Sequence, residues 1–199
     1  LNLKKSIEDK TQNIPEENLV EPKLHVVGPA IEASKYYIDS EELREMFSSL
    51  ISASIDNRKS DLVHPSFVEL IKQLSPLDAQ NLKLFKGVYQ FPICEYRGVT
   101  KKDKAYITRY TNVFLQNPKV SDHNLISSSM SNLDRLGLIY ISYSNFISDE
   151  TFYDKFKNTS IYKKLKHEIG RNGDESLEIR KGLTQPTPIG NDFIKICLS

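Results

Sequence analysis

A chain of 199 residues with 39% apolar and 27% charged side chains has an ordinary globular composition, which excludes wholesale disorder and a fibrous architecture. It is long enough for one large domain or two small ones without staples, and its two cysteines, Cys94 and Cys197, form no framework of the secreted kind. The net charge of +1 hides an asymmetry: residues 1–80 carry nine Lys/Arg against fourteen Asp/Glu, residues 81–120 eight against two, and residues 121–199 ten against ten.

No apolar run approaches the ~18 to 20 residues that cross a bilayer, and no signal segment opens the chain, so a cytoplasmic location is expected. The sequence starts at Leu1, without methionine, inside what reads as a polar helix; a fragment of a longer protein is expected. Leu3 to Thr11 is the end of that helix, and Pro15 and Pro22 punctuate a linker. From Lys23 to Tyr37, Leu24, Val27, Ile31 and Ile38 recur at helical spacing, with a kink or restart at Gly28-Pro29.

The strongest helix is Glu41 to Ile55, where Leu43, Met46, Phe47, Leu50, Ile51 and Ile55 form a stripe opposite Glu41, Glu42, Glu45 and Ser49. Asp39 is its expected cap, with Glu42 completing a capping-box-like pair. His64-Pro65 and Ser75-Pro76 begin two more helices, carrying Phe67, Val68, Ile71 and Leu74, then Leu77, Leu82 and Phe85, and ending near Gly87. Tyr89 to Tyr96 has strand composition, with Pro92 assigning it to an edge and Arg97-Gly98 closing it. Lys104 to Gln116 fits helix or strand; the stripe of Tyr106, Ile107, Tyr110, Val113 and Phe114 favours helix.

Asp122 caps a helix that buries Ile126, Met130 and Leu133 and turns Ser128, Asn132 and Arg135 outward. Gly137 stops it, and Leu138 to Tyr143 has strand composition. Thr151 to Gly170 reads as one inserted helix, Leu177 to Leu183 as a return strand, and Thr187-Pro188-Ile189-Gly190 as the start of a last helix through Phe193, Ile194 and Cys197. Gly190 has a physical purpose there, because a helix start without a Cβ can approach the neighbouring strand closely. This order resembles the third helix, wing strands and final turn of winged-helix domains, with Pro186 where leucine is commoner. The expected fold class is therefore mainly α with α+β character: residues 1–87 a helical region, 88–120 a basic connecting segment, and 121–199 a winged-helix-like module with a small antiparallel sheet.

Chemistry is sparse. His25, His64, His123 and His167 lie far apart without ligand-spaced partners, and His64, although Asp56 and Asp61 lie upstream, reads as a helix cap before Pro65. With no Gly-rich phosphate loop, nucleophile elbow or kinase signature, neither an enzyme nor a cofactor or metal is expected. Candidate contacts to nucleic acid or a partner are Lys101, Lys102, Lys104 and Arg109, interleaved with Tyr96, Tyr106 and Tyr110, together with Ser128, Asn132 and Arg135. The neutral C-terminal module makes protein contact or self-association the favoured reading over nucleic acid.

The segments IPEENLVEPKL, GPAIEASKYYIDSEELREMFSSLISASID and VHPSFVELIKQLSPLDA resemble the bacterial abortive-infection alpha family, most distinctively at Glu41 to Phe47, His64 to Phe67 and Leu74 to Asp78. The ending at Thr187 to Gly190, Phe193 and Cys197 is also similar. The resemblance implies a part in bacterial defence against phage, in which an infected cell stops growing or dies before virus is released; it implies no catalytic residues. A non-enzymatic sensor or interaction protein is the expected function, with a winged-helix DNA-binding regulator as the alternative.

Overall fold

The structure, a computed structural model, describes residues 3–198, apart from the side chain of Asn172; Leu1, the point at which an upstream continuation is expected, lies outside them. The chain runs α1 (Leu3–Thr11), α2 (Leu24–Ser34), α3 (Glu41–Ser54), α4 (Ser66–Lys72), α5 (Pro76–Lys83), β1 (Phe91–Thr100), β2 (Tyr106–Val113), α6 (His123–Arg135), β3 (Ile139–Ser142), a long 3-10 segment (Glu150–Asn158), α7 (Ser160–Asn172), β4 (Glu175–Pro186) and α8 (Pro188–Cys197). The four strands form one antiparallel sheet in the order β2-β1-β4-β3. This is a mixed α+β fold.

Helix α3 lies at the centre of the helical layer, with α1, α2, α4, α5 and α8 packed around it. The capping grammar is shifted by one residue from the expectation: Ser40, not Asp39, accepts the Leu43 N–H, because the Ser40 backbone is already extended at the helix entrance. Burial also extends beyond the expected stripe. Ser48, Ser49, Ser52 and Ser54 are buried, small enough to let neighbouring helices approach; Ser48 and Ser54 return their hydroxyls to the carbonyls of Glu45 and Ile51.

In α2 the buried residues are Val26, Ala30, Ala33 and Ser34; of the expected stripe, Leu24 and Ile31, with Ile38 beyond the helix, are exposed and Val27 alone packs partly against the core. Small side chains sit inward because α2 lies directly against α3 and α4. Pro29 is absorbed within the helix. The expected linker is held rather than free, since Val20 N–H donates to Ile55 O at 3.0 Å and Asn57 N–H to Asn18 O at 2.9 Å.

The strand assignments change most. β1 is an inner strand, paired with β4 along its whole length and with β2 from Cys94 onward. Pro92 is tolerated because it precedes the β2 pairing, where one flank of β1 is open. The strand also runs through Gly98 to Thr100: an added Cβ there would meet Glu175 Oε2 at 2.5 Å, so the bare glycine leaves room for the Arg109–Glu175 ion pair. Residues 106–113, expected as helix, form β2. Its β-branched residues suit an outer strand, and Tyr106 and Ile107, which a helix would bury, are exposed. The inserted segment is a 3-10 stretch plus α7 rather than one helix, broken at Thr159, whose hydroxyl caps α7 through the Tyr162 N–H.

That insertion covers one face of the sheet, where Tyr153, Phe156 and Leu165 pack on Cys94, Tyr96 and Val113. Two phenols pin it: Tyr96 donates to Phe156 O and Tyr153 donates to Gly182 O, each at 2.7 Å. The start of α8 is closely packed. Thr187 accepts the Gly190 N–H at 3.0 Å, its own N–H donates to Leu138 O at 3.1 Å, and a Cβ on Gly190 would lie 1.8 Å from Leu138 O. The close approach expected of Gly190 is therefore real. Gly190→Ala should destabilise the fold by about 3 kcal/mol in urea unfolding, whereas Gly170→Ala, in an open position within α7, should stabilise it by about 0.5 to 1 kcal/mol.

Candidate functional site

β3 covers β4 only from Leu183 to Pro186, so the sheet loses a strand beside Glu178 to Lys181. The hydroxyl of Ser142 causes the departure, accepting the N–H groups of Ser144 and Asn145 at 3.2 and 3.1 Å and turning the chain away. Tyr143 then crosses β4 at Gly182, where an added Cβ would sit 2.7 Å from its ring. In the vacated space is an open cavity of about 570 Å³ whose lining includes Arg97, Lys104, Tyr106, Tyr143, Phe146, Glu178, Arg180 and Lys181.

The cations are organised from below by one buried carboxylate. Glu95 receives Arg97 through Nε at 2.9 Å and Nη2 at 2.5 Å on the same oxygen, Oε2, which also lies 3.8 Å from Arg180 Nη1. Its other oxygen accepts from Thr111 at 3.2 Å. Two guanidinium groups thus share one negative charge. Each is also braced by a ring: Arg97 stands 3.9 Å from the centre of Tyr106, and Arg180 5.5 Å from that of Tyr143. Tyr143 is fixed in turn, its hydroxyl accepting from Asn112 N–H at 3.0 Å and donating to Asn112 Oδ1 at 2.8 Å, while burial pushes its acidity down and keeps it a neutral phenol. Lys181 pairs with Glu150 at 2.6 Å.

The sequence-predicted contacts are dispersed. Lys101 donates to Gly173 O, Arg109 is paired with Glu175 at 2.9 Å, and Lys102 is exposed in the β1–β2 turn. Only Lys104, at φ +59°, reaches the cavity, with Tyr106 beside it. On α6, Ser128 is exposed, but Asn132 donates to Gln73 O and Asp78 Oδ2 at 3.1 and 3.0 Å, and Arg135 reaches Asn132 Oδ1 at 2.8 Å. Those groups join α6 to the α4–α5 turn. His64 is a cap, its Nδ1 accepting the Ser66 N–H at 3.1 Å. The sequence reading missed Glu95, Glu178, Arg180 and Phe146. Alternation of Arg180 with Leu177 and Ile179 was the available signal, since period two puts a lone arginine on the opposite face from the apolar pair.

A family model described as abortive infection alpha matches residues 1–197. The chain belongs to the abortive infection alpha family. No curated protein matches it. A solved structure of an uncharacterized protein from the hydrocarbon-degrading marine bacterium Alcanivorax borkumensis SK2 is similar at 16% identity with a TM-score of 0.43, covering 72% of this chain and 96% of that one.

In this abortive infection alpha protein the segments that carried the resemblance are structural: Glu41 to Phe47 open α3, and Ser75 and Asp78 exchange hydrogen bonds as a complete capping box at the start of α5. The cavity lies outside them. No helix among the described residues is long and apolar enough to cross a membrane. Because Arg97 is largely enclosed, Glu95→Gln should cost about 3 kcal/mol of stability by stranding it, whereas Arg109→Ala, at a partly exposed pair, should cost about 1 kcal/mol or less; chemical denaturation of both variants checks the order.

Proposed function

We propose that this abortive infection alpha protein defends a bacterium against phage as a non-enzymatic sensor or interaction protein in the cytoplasm, meeting its trigger or partner at the cavity where β3 leaves β4. The family match over residues 1–197 carries the defence role. The placement on the sheet is supported by the half-exposed rings of Tyr106 and Phe146, which line the cavity together with Lys104 beside the Glu95–Arg97–Arg180 cluster. In this reading α6, β3, β4 and α8 form a winged-helix-like module used for packing. Its support is the helix ending on Gly137 at φ +69° and the antiparallel β3–β4 pair, while Asn132 and Arg135 serve the α4–α5 turn instead of a DNA groove.

Expression of the chain in a phage-sensitive host should lower phage yield while infected cells cease growth. The double variant Lys104→Glu with Tyr106→Ala should return the yield to that of cells carrying empty vector. Unchanged yield with the unaltered chain across a broad phage panel would overturn the defence role. Full protection by a well-expressed double variant would move the contact surface elsewhere.

A further inference from the structure

We propose that the cavity beside β4 binds a nucleotide unit, its phosphate held by Arg180 and Lys104 with Arg97 adding charge behind them, and its base stacked on Tyr106 or Phe146. The proposal rests on the assignment of this cavity as the contact surface, and it adds the chemistry of what is contacted.

Four observations converge. The space is an open cleft of about 570 Å³, which has room for a nucleotide. Arg97 and Arg180 share the single carboxylate of Glu95, so the pair keeps an excess positive charge; Arg97 commits its Nε and Nη2 to Glu95, while the more exposed Arg180 presents a guanidinium fork that matches phosphate geometry. Lys104 adds a third cation from the β1–β2 turn. Finally, Tyr106 is 55% exposed and Phe146 50% exposed within a charged wall; Arg97 covers one face of Tyr106 and Lys181 lies 5.8 Å from the centre of Phe146, so a base would stack on the faces opposite those cations.

The opposing charges also count. Lys181 is paired with Glu150, and Glu178 is an acidic side chain of the lining itself. A bare polyanion gains nothing from Glu178, whereas a nucleotide presents base amino groups and sugar hydroxyls for its carboxylate to accept from. Inorganic phosphate satisfies the arginines but not the rings. A duplex presents phosphates but keeps its base faces stacked inside, so it too leaves Tyr106 and Phe146 unused. A free mononucleotide and one residue of a single strand offer the same base and phosphate, and experiment separates those two sources.

The test uses the full chain. A mixture of nucleoside monophosphates is titrated calorimetrically, and fluorescently labelled single-stranded RNA and DNA octamers are titrated by anisotropy, with inorganic phosphate and an eight-base-pair duplex as comparisons. Saturable binding is expected for the monophosphates or for an octamer, the first result marking a small-molecule ligand and the second a single strand. Tyr106→Ala and Arg180→Ala should each weaken it about tenfold or more, and Tyr106→Phe should retain it, which separates loss of stacking from loss of fold. No saturable binding to either class overturns the proposal, as does binding indifferent to these substitutions or matched in strength by phosphate or duplex. If nucleotides fail to bind while Lys104→Glu with Tyr106→Ala still abolishes protection, the ligand class is wrong and the contact surface stands. If nucleotides bind but that variant protects fully, the site stands and its part in defence falls.

Discussion

The fold depends on enclosing α3. Ten of its fourteen residues are buried, four of them serines, so from Met46 to Ser54 this helix has no solvent face on which to rest and must be covered from several directions. α1 supplies one cover, with Ser6 donating to Glu45 Oε1 at 2.8 Å and Lys10 lying 3.3 Å from Glu45 Oε2. α8 supplies another, placing Phe193, Ile194, Ile196 and Cys197 in the same core. Because α8 follows directly on β4, the helical core closes only when the sheet has delivered its last strand to the right place. Gly190 and Thr187 are where that dependence is concentrated: the start of α8 rests on the backbone of Leu138 with no space for a methyl group.

One face of the sheet is enclosed by the inserted segment, and the other joins the helical core at Phe91 and Ile93 and opens from Glu95 onward. On the enclosed side, the 3-10 segment and α7 are held by phenol-to-carbonyl bonds from Tyr96 and Tyr153, which let two large aromatic residues be buried without stranding their hydroxyls. On the open part of the other face, Glu95 follows the buried Ile93 and begins a polar cluster. A carboxylate so enclosed is tolerable only with cations and donors around it, and Arg97, Arg180 and Thr111 supply them. The arginines thereby become fixed in place at the cavity wall. A surface that presents preoriented cations loses less freedom on binding an anion than one that presents loose lysines.

The cavity itself follows from a short strand. β3 ends at Ser142 because that hydroxyl captures the next backbone N–H groups, and Tyr143 is passed over Gly182 toward Asn112. Had β3 continued, the edge from Glu178 to Lys181 would be covered. Local turn chemistry in four residues thus decides whether the domain has a pocket at this place.

Much of the helical architecture was legible from periodicity and caps: α3 to α6 and α8 announce themselves through apolar spacing, Pro at the first turn, and Ser or Asp before it. The family likeness was legible too, because it rests on those same structural positions. What the sequence could not decide was which side of α2 faces inward, whether residues 106–113 pair as a strand, and which charges meet. Alanine and serine carry too little hydrophobic signal to reveal a close helix contact, and β2 becomes a strand only because β1 offers it an edge. Glu95, Arg97 and Arg180 are separated by up to 85 positions and become one cluster through the β1–β4 register alone. The sequence by itself determined α3 to α6, α8 and the family; tertiary pairing decided the sheet, the inserted segment and the cavity, because a strand's partner and a charge's neighbour are set by distant residues rather than adjacent ones.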